Sequence, residues 1–193
     1  MSRIVLLHSA QGLGPGVEIW ADRLREAGHE VWAPDLFEGR TFDRLEDGIA
    51  HRDEVGVAEL MRRAEAALAE LPGDVVYCGF SMGAASAGYY AATRKGSRGA
   101  VLISGVTPLA QLGVERWPEG VPAQVHFTAE DEWIDRGGVE SFEHALDAVR
   151  AKLEIHVYPG SGHLFADPAS PGYDPAAAEL LLTHVLGFLE RCG

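Results

Sequence analysis

The chain has 193 residues, of which 47% are hydrophobic, and its formal net charge at pH 7 is −13. This length suits one well-filled core and is too short for two ordinary domains, so we predict a single domain over residues 1–193. The negative charge disfavours nucleic acid and anionic membrane surfaces as partners, because long-range repulsion would oppose each encounter.

The cysteines and the start of the chain indicate the compartment. Cys78 lies inside a predicted core strand and Cys192 lies near the end of the chain, so the two are poorly placed to form a disulfide bond. No long apolar stretch of the signal-peptide kind follows Met1, and no apolar run approaches about 18 residues. We therefore expect free thiols and a cytoplasmic location.

Apolar runs with the length of strands alternate along the chain with helical patterns. The strand-like runs are residues 4–7, 31–33, 75–78, 100–103, 121–127 and 153–157. The first helical stripe ends at Gly28, the second stops before Pro72, and the last helix begins at Asp174 and Pro175. Alternating strands and helices predict an α/β fold, with a mostly parallel, doubly wound sheet of about six to seven strands covered by helices on both faces.

Two stretches look irregular, residues 38–52 and 107–120. In a doubly wound sheet such connections rise over the carboxyl ends of the strands, where binding sites form. We predict that they contribute walls to a pocket, although most of their residues are also consistent with ordinary solvated loops.

The segment around Ser81 is the strongest functional signal. Ser81 lies between Gly79 and Gly83, in the order Gly-x-Ser-x-Gly, where an apolar strand gives way to a helix rich in small residues. This is the pattern of a nucleophile elbow, in which a strained turn projects the serine hydroxyl above the sheet. The N–H group of Met82 at the start of the helix is the first candidate oxyanion donor. A glycine-rich turn with an incidental serine is the alternative.

A serine nucleophile needs a base and a group that orients the base. His163 follows the last predicted strand in a glycine-rich loop and is the best-placed base. Asp131 lies in the loop after the preceding strand and is the preferred acid. The order Ser81, Asp131, His163 is the chain order of α/β-hydrolases. The nearby acids that remain alternatives to Asp131 are Glu130, Glu132 and Asp135.

A second oxyanion donor is expected in the loop after the first strand. The backbone N–H of Gln11 or Gly12 is the candidate, because this loop is glycine-rich and precedes a helix. Such a loop could instead bind a dinucleotide, but Val17 occupies the position of the third glycine of that fingerprint.

Three further residues are candidate pocket walls. His8 ends the first strand, and Trp133 and Phe165 flank the predicted acid and base in sequence. Core packing is an equally good interpretation for both aromatic residues.

These residues resemble the dienelactone hydrolase family of small α/β-hydrolases, over nearly the whole chain from Ile4 to Leu189. The resemblance rests on residues 11–14, residues 33–37, the elbow at Ser81, the acid loop at Asp131 and residues 162–165. It implies a minimal α/β-hydrolase fold without the early antiparallel strands or a large cap. It also supports the assignment of Ser81, Asp131 and His163.

Three positions depart from the founding members of that family. Their nucleophile is a cysteine, whereas this chain has Ser81, and a glutamate of theirs that helps activate the thiol is similar in position to Gln11. An arginine that helps to hold the carboxylate of dienelactone corresponds to Asp167. An acid cannot anchor a carboxylate, so we predict an uncharged or weakly polar substrate.

The sequence as a whole predicts a serine hydrolase that cleaves small carboxylic esters or lactones through an acyl-enzyme, without a cofactor or a metal. Thioester hydrolysis, acyl transfer and organophosphate cleavage would use the same residues. The rival prediction is a small-molecule binding or regulatory protein that keeps the fold without turnover, since fold does not determine function.

Overall fold

The computed structural model describes residues Met1–Gly193 and is built around one six-stranded sheet. The strands are β1 (Arg3–Leu7), β2 (Glu30–Trp32), β3 (Val76–Phe80), β4 (Gly99–Ile103), β5 (Ala123–Thr128) and β6 (Leu153–Tyr158). Their order is β2-β1-β3-β4-β5-β6, and every neighbouring pair is parallel. The prediction of a parallel sheet of about six to seven strands without a large cap is confirmed.

Five of the six helices lie in connections between strands, and the sixth follows β6. They are α1 (Pro15–Glu26), α2 (Leu45–Val55), α3 (Val57–Leu68), α4 (Met82–Thr93), α5 (Arg136–Asp147) and α6 (Pro175–Cys192). The apolar residues of α3, α4 and α5 form the core on one face of the sheet, and those of α1 and α6 form the core on the other. Successive side chains of a strand point to opposite faces of the sheet. Tyr77 of β3 therefore packs in the first core and Cys78 in the second. None of the helices is both long and apolar enough to cross a lipid bilayer.

The direction of winding reverses between β1 and β3. From β1 the chain runs outward to β2, then returns past β1 to β3 and continues through β4 and β5 to β6. In an open α/β sheet the crevice beyond the carboxyl ends of the strands at such a switch point is the usual ligand site. Ser81 immediately follows β3 and is therefore placed beside this crevice.

The segment 38–52 is not irregular throughout, because α2 begins at Leu45. Only Gly48 and His51 of this helix are buried, so it lacks the apolar stripe by which a helix is recognised in sequence. Close packing positions it instead: a Cβ on Gly48 would collide with the backbone carbonyl of Ala10. The helix therefore lies against the loop that follows β1. Residues 107–120 contain no helix or strand, as predicted.

A cluster of histidines lies between the sheet edge and α6. The rings of His126, His156 and His184 are stacked, with centroids 4.9 Å apart for the first pair and 3.9 Å for the second. His126 is fully buried, and its Nδ1 and Nε2 lie 2.9 Å from the Tyr158 hydroxyl and 3.1 Å from Gln124 Oε1. Burial and the two neighbouring histidines hold the pKa of His126 well below 6.5.

We expect this cluster to make stability depend on pH. Below pH 6.5 His126 binds a proton in the unfolded chain but stays neutral in the folded protein. The free energy of unfolding therefore falls as the pH is lowered. The pKa of His156 is also lowered, by burial and by His184, although Glu154 opposes that shift. Each histidine kept neutral contributes at most about 1.4 kcal/mol per pH unit.

Urea unfolding at pH 7.5, 6.5 and 5.5 measures this effect. His126→Gln should lose less stability on acidification than the wild type, whereas the same change at the exposed His144 should leave the slope unaltered. Equal slopes for His126→Gln and the wild type would contradict the assignment.

Candidate active site

Ser81 occupies a strained turn between β3 and α4. Its backbone dihedrals are φ 53° and ψ −110°, a conformation that residues with a side chain rarely adopt. The turn is fastened to the sheet by the Ser81 N–H, which donates to the carbonyl of Ile103 at 2.7 Å. The geometry holds the serine side chain outside both the strand and the helix, as a nucleophile elbow does.

The two flanking glycines allow α4 to lie directly on the sheet. A Cβ on Gly79 would collide with the carbonyl of Gly83, and a Cβ on Gly83 would collide with the carbonyl of Leu7 and press on that of His8. Because these neighbours are backbone atoms, a side chain at either position would displace the start of the helix.

We expect Gly83→Ala to destabilise the protein by about 3 kcal/mol or to prevent folding, because the helix cannot move without disturbing the turn. Gly88→Ala in the same helix is the matched control: its Cβ would make only ordinary contacts, of 3.8 Å and more, with Leu112 and Leu102. The control should be neutral or stabilising by up to about 1 kcal/mol. Urea unfolding of the two variants measures the difference, and similar stabilities would show that the close approach is not required.

Ser81, His163 and Asp131 are brought together in one chain of hydrogen bonds. Ser81 Oγ lies 2.8 Å from His163 Nε2, and His163 Nδ1 lies 2.8 Å from Asp131 Oδ2. The Asp131 side chain is completely buried, and the His163 side chain is 11% exposed. A carboxylate accepts a hydrogen bond, so Nδ1 carries the proton and Nε2 is free to accept one from the Ser81 hydroxyl.

The topology explains how three distant residues meet. They follow β3, β5 and β6, whose carboxyl ends lie along one edge of the parallel sheet. Each is carried on the loop that leaves its strand, above the crevice.

Geometry distinguishes Asp131 from the three other acids of its loop. Its second oxygen, Oδ1, accepts the Trp133 N–H at 2.9 Å, which fixes the carboxylate toward His163. Glu130 and Glu132 are exposed. Asp135 caps α5 instead, since it accepts the N–H of the second helical residue, Gly137, at 3.0 Å.

The oxyanion side of the site differs in part from the sequence prediction. Met82 is the first residue of α4, so its N–H precedes the first hydrogen bond within the helix. The N–H groups of Gln11 and Gly12 are both engaged, the first by Ser9 Oγ and the second by the Ser9 carbonyl, each at 3.1 Å. The turn closes on Ser9, and neither Gln11 nor Gly12 lines the cavity beside Ser81.

Ala10 is the residue that sequence reasoning missed in this loop. It lies in the wall of the same cavity as Ser81 and Met82, and its N–H has no acceptor within the chain. No side-chain property distinguishes it, because only the direction of its backbone N–H matters.

A cavity of about 190 Å³ opens beside Ser81 and His163. Helix α2 supplies Leu45, Ile49 and Arg52 to its wall, and the loop after β4 supplies another part. The prediction that segments 38–52 and 107–120 form walls is confirmed for these α2 residues and for Thr107, where the second segment begins.

Of the three predicted pocket residues, only Trp133 lines the cavity. Trp133 lines the cavity and is half exposed, with its ring 5.7 Å from that of His163. His8 does not face the cavity, because both of its ring nitrogens are used elsewhere: Nδ1–H donates to the Ser9 carbonyl at 2.7 Å, and Nε2 accepts the Leu36 N–H at 3.0 Å. Burial lowers the pKa of His8 and favours this neutral form.

Phe165 is a core residue. It is 1% exposed and packs with its ring 4.9 Å from that of Tyr158, in the core beneath α1 and α6. The predictions of pocket roles for His8 and Phe165 are therefore corrected.

Polar wall residues were also missed. Ser104 is buried beside the cavity, and its hydroxyl has no hydrogen-bond partner. Arg52 also lines the cavity, where its Nη2 lies 2.7 Å from Asp53 Oδ1.

Asp167, by contrast, does not line the cavity. Its Oδ1 accepts the Ala169 N–H at 2.8 Å, and burial raises its pKa. No group of three or more His, Cys, Asp or Glu side chains is arranged to hold a metal ion.

Comparison with known protein families gives a match over nearly the entire chain. A family model described as the dienelactone hydrolase family matches residues 2–193. A shorter match pairs 53 residues, at 42% identity, with a candidate carboxymethylenebutenolidase of Salmonella typhi. That match covers 28% of this chain and 20% of the Salmonella protein.

Solved structures resemble the whole chain. A dienelactone hydrolase-like promiscuous phosphotriesterase from metagenomic libraries matches 100% of this chain and 87% of its own, with a TM-score of 0.80 and 22% identity. Esterase 2 of Thermogutta terrifontis, solved in a form phosphorylated by paraoxon, matches 100% and 83%, with a TM-score of 0.66 and 16% identity. At such identities the likeness shows a shared fold, and the predicted α/β-hydrolase fold is confirmed.

Proposed function

The chain belongs to the dienelactone hydrolase family, and we propose that it is a serine hydrolase that cleaves small, uncharged carboxylic esters or lactones through an acyl-enzyme. The observation that supports this most is the hydrogen-bonded chain from Ser81 through His163 to Asp131, which opens onto a cavity. A structural neighbour described as an esterase adds support, because its fold is the same.

Acylation begins when Ser81 Oγ attacks the carbonyl carbon of the ester. His163 Nε2 accepts the hydroxyl proton as the new C–O bond forms, and the buried Asp131 carboxylate stabilises the resulting imidazolium. The carbonyl oxygen becomes an oxyanion, which we assign to the N–H groups of Met82 and Ala10. A crystal structure of a phosphonate adduct tests this assignment: a phosphoryl oxygen outside hydrogen-bond distance of Ala10 N would contradict it.

The intermediate collapses when the bond to the leaving alkoxide breaks and His163 donates the proton to that oxygen. Water then enters, His163 removes one of its protons, and the hydroxyl oxygen attacks the acyl carbon. Release of Ser81 with its proton regenerates the enzyme and yields the carboxylic acid. All steps use groups already within hydrogen-bond distance of one another, so no cofactor is required.

The charges of the cavity wall favour an uncharged ester. Arg52 is paired with Asp53, and Asp135 lines the cavity as well, so the wall offers no unpaired cation for a substrate carboxylate. Asp167, on which the sequence argument against carboxylates rested, lies away from the cavity. The preference for uncharged esters therefore depends on the ion pair between Arg52 and Asp53.

Initial rates on a small panel test this function. We expect p-nitrophenyl acetate and a neutral δ-lactone to be hydrolysed, and a lactone bearing a free carboxylate to have a kcat/KM at least about tenfold lower. Faster hydrolysis of the carboxylate-bearing lactone would contradict the proposed specificity. Saturable binding of all three compounds without product release would favour the rival, a binding protein on the same fold.

We also propose that the protein acts in the cytoplasm on a small-molecule substrate, without nucleic acid or membrane partners. Both cysteines are free, and burial raises the pKa of Cys78 to about 12 and of Cys192 to about 11, which protects them from oxidation. Recovery of the native protein from the secreted or membrane fraction of its cells would contradict this location.

A further inference from the structure

A second cavity adjoins the first. It has a volume of about 560 Å³, roughly three times that of the cavity beside Ser81. Met82 and Arg52 line both cavities, so the two are neighbours on either side of the first residue of α4. We call the larger cavity the α3–α4 groove.

The walls of the α3–α4 groove are mainly apolar. Helix α3 contributes Leu60, Met61 and Ala64, and helix α4 contributes Ala85 and its two tyrosines. The loop after β4 closes another side with Leu112. An apolar cavity of this size beside a reacting centre suits the apolar part of a substrate.

One polar group in this groove lacks a partner. Tyr90 lines the groove and is 1% exposed, and its hydroxyl forms no hydrogen bond. A buried hydroxyl without a partner is destabilising, and buried polar groups in native proteins are almost always paired. An oxygen atom on a bound ligand would satisfy it after a small shift of the ring that exposes the hydroxyl to the groove, because the hydroxyl is itself buried. Burial raises the pKa of Tyr90, which keeps the hydroxyl protonated as a donor.

We propose that the α3–α4 groove is the substrate's chain-binding subsite, and that it takes an extended apolar chain with an oxygen acceptor that meets the Tyr90 hydroxyl. This rests on the proposed hydrolase function and makes it more specific: the preferred substrates are esters with a chain longer than the small cavity can hold. The chain belongs to either the acyl or the alcohol part of the ester, and both have the same chemistry in the groove.

Chain length tests the subsite. Each methylene that the groove buries should raise kcat/KM about fourfold, so p-nitrophenyl octanoate, or octyl acetate for the alcohol side, should exceed the corresponding short ester at least about tenfold. Ser86→Phe places a ring in the groove from α4 and should lower the long-to-short ratio at least about tenfold. A ratio near one in the wild type for both esters, or an unchanged ratio in Ser86→Phe, would overturn the proposal.

An oxygen scan tests Tyr90. In a series of chains in which one methylene is replaced by an ether oxygen, one position should raise kcat/KM at least about tenfold over its neighbours, and Tyr90→Phe should abolish that gain. Tyr77→Phe is the matched control, because Tyr77 is buried as deeply but does not line the groove. No favoured position, or a gain that survives Tyr90→Phe, would remove the role of the hydroxyl.

Binding separates this proposal from the proposed function. Octanoic acid p-nitroanilide, an amide expected to resist cleavage, should bind the wild type by calorimetry and bind Ser86→Phe at least about tenfold more weakly. If no ester is hydrolysed but this difference is found, the hydrolase function fails and the groove stands. If esters are hydrolysed but the difference is absent, the groove fails alone.

Discussion

Ser81→Ala should reduce ester hydrolysis at least about 10⁴-fold, leaving only the residual rate that transition-state binding supports. The Ser81 hydroxyl is the one group that lies 2.8 Å from His163 Nε2 in a turn that holds it outside the strand and the helix. Without it no acyl-enzyme can form, and the remaining N–H groups can only polarise the substrate. Alanine fits the same turn, so the variant should fold.

The measurement is kcat/KM for p-nitrophenyl acetate, with thermal unfolding as a check on the fold. Ser161→Ala is the control, since Ser161 is an exposed serine two residues before His163. It should retain activity within about twofold. A folded Ser81→Ala protein with more than a tenth of the wild-type activity would show that another group is the nucleophile.

Asp131→Asn should lower kcat by about 10³ to 10⁴-fold at neutral pH while leaving the fold intact. The reason is the direction of the hydrogen bonds. The Trp133 N–H donates to Oδ1 of Asp131, so an asparagine would keep its carbonyl oxygen there and turn its NH₂ toward His163 Nδ1. Nδ1 would then have to accept, which places the ring proton on Nε2, facing Ser81, where the base is needed.

The pair Glu130→Gln and Glu132→Gln provides matched controls. Both glutamates are exposed neighbours of Asp131 in the same loop, so their loss should change kcat less than about threefold. The same assay also tests Asp135, whose carboxylate caps α5. If Asp131→Asn remains active while Asp135→Asn does not, the acid has been assigned to the wrong residue.

The parts of the site that the sequence could predict are those with a local chemical signature. Ser81 could be found because Gly79 and Gly83 mark the turn in the sequence. The structure requires glycine at both positions, since a Cβ on either would collide with a backbone carbonyl. His163 and Asp131 could be found because each follows a strand, and the carboxyl ends of parallel strands meet at one edge. The same reasoning gave the sheet and the helices with clear apolar stripes.

The parts of the site that could not be predicted depend on the direction of backbone N–H groups and on packing between segments distant in sequence. Whether Ala10, Gln11 or Gly12 presents a free N–H is decided by how the loop closes on Ser9. Helix α2 buries too few apolar residues to show its period. His8 follows β1 near the crevice, but its ring accepts the backbone N–H of Leu36, a contact distant in sequence.

The α3–α4 groove shows the same limit. Tyr90 lies in α4 and is buried, and its type and position in the sequence do not distinguish it from a core residue. Its hydroxyl becomes a functional candidate only when it is found buried without a partner in the wall of a cavity.

The most direct test of the account is the intact mass of the protein after treatment with a fluorophosphonate, followed by mapping of the modified peptide. A fluorophosphonate reacts with an activated serine hydroxyl, so it tests the proposed nucleophile directly. We predict one adduct, on Ser81, and a much slower formation of that adduct in His163→Ala. Folded protein without an adduct, or with an adduct on another residue, would contradict the account.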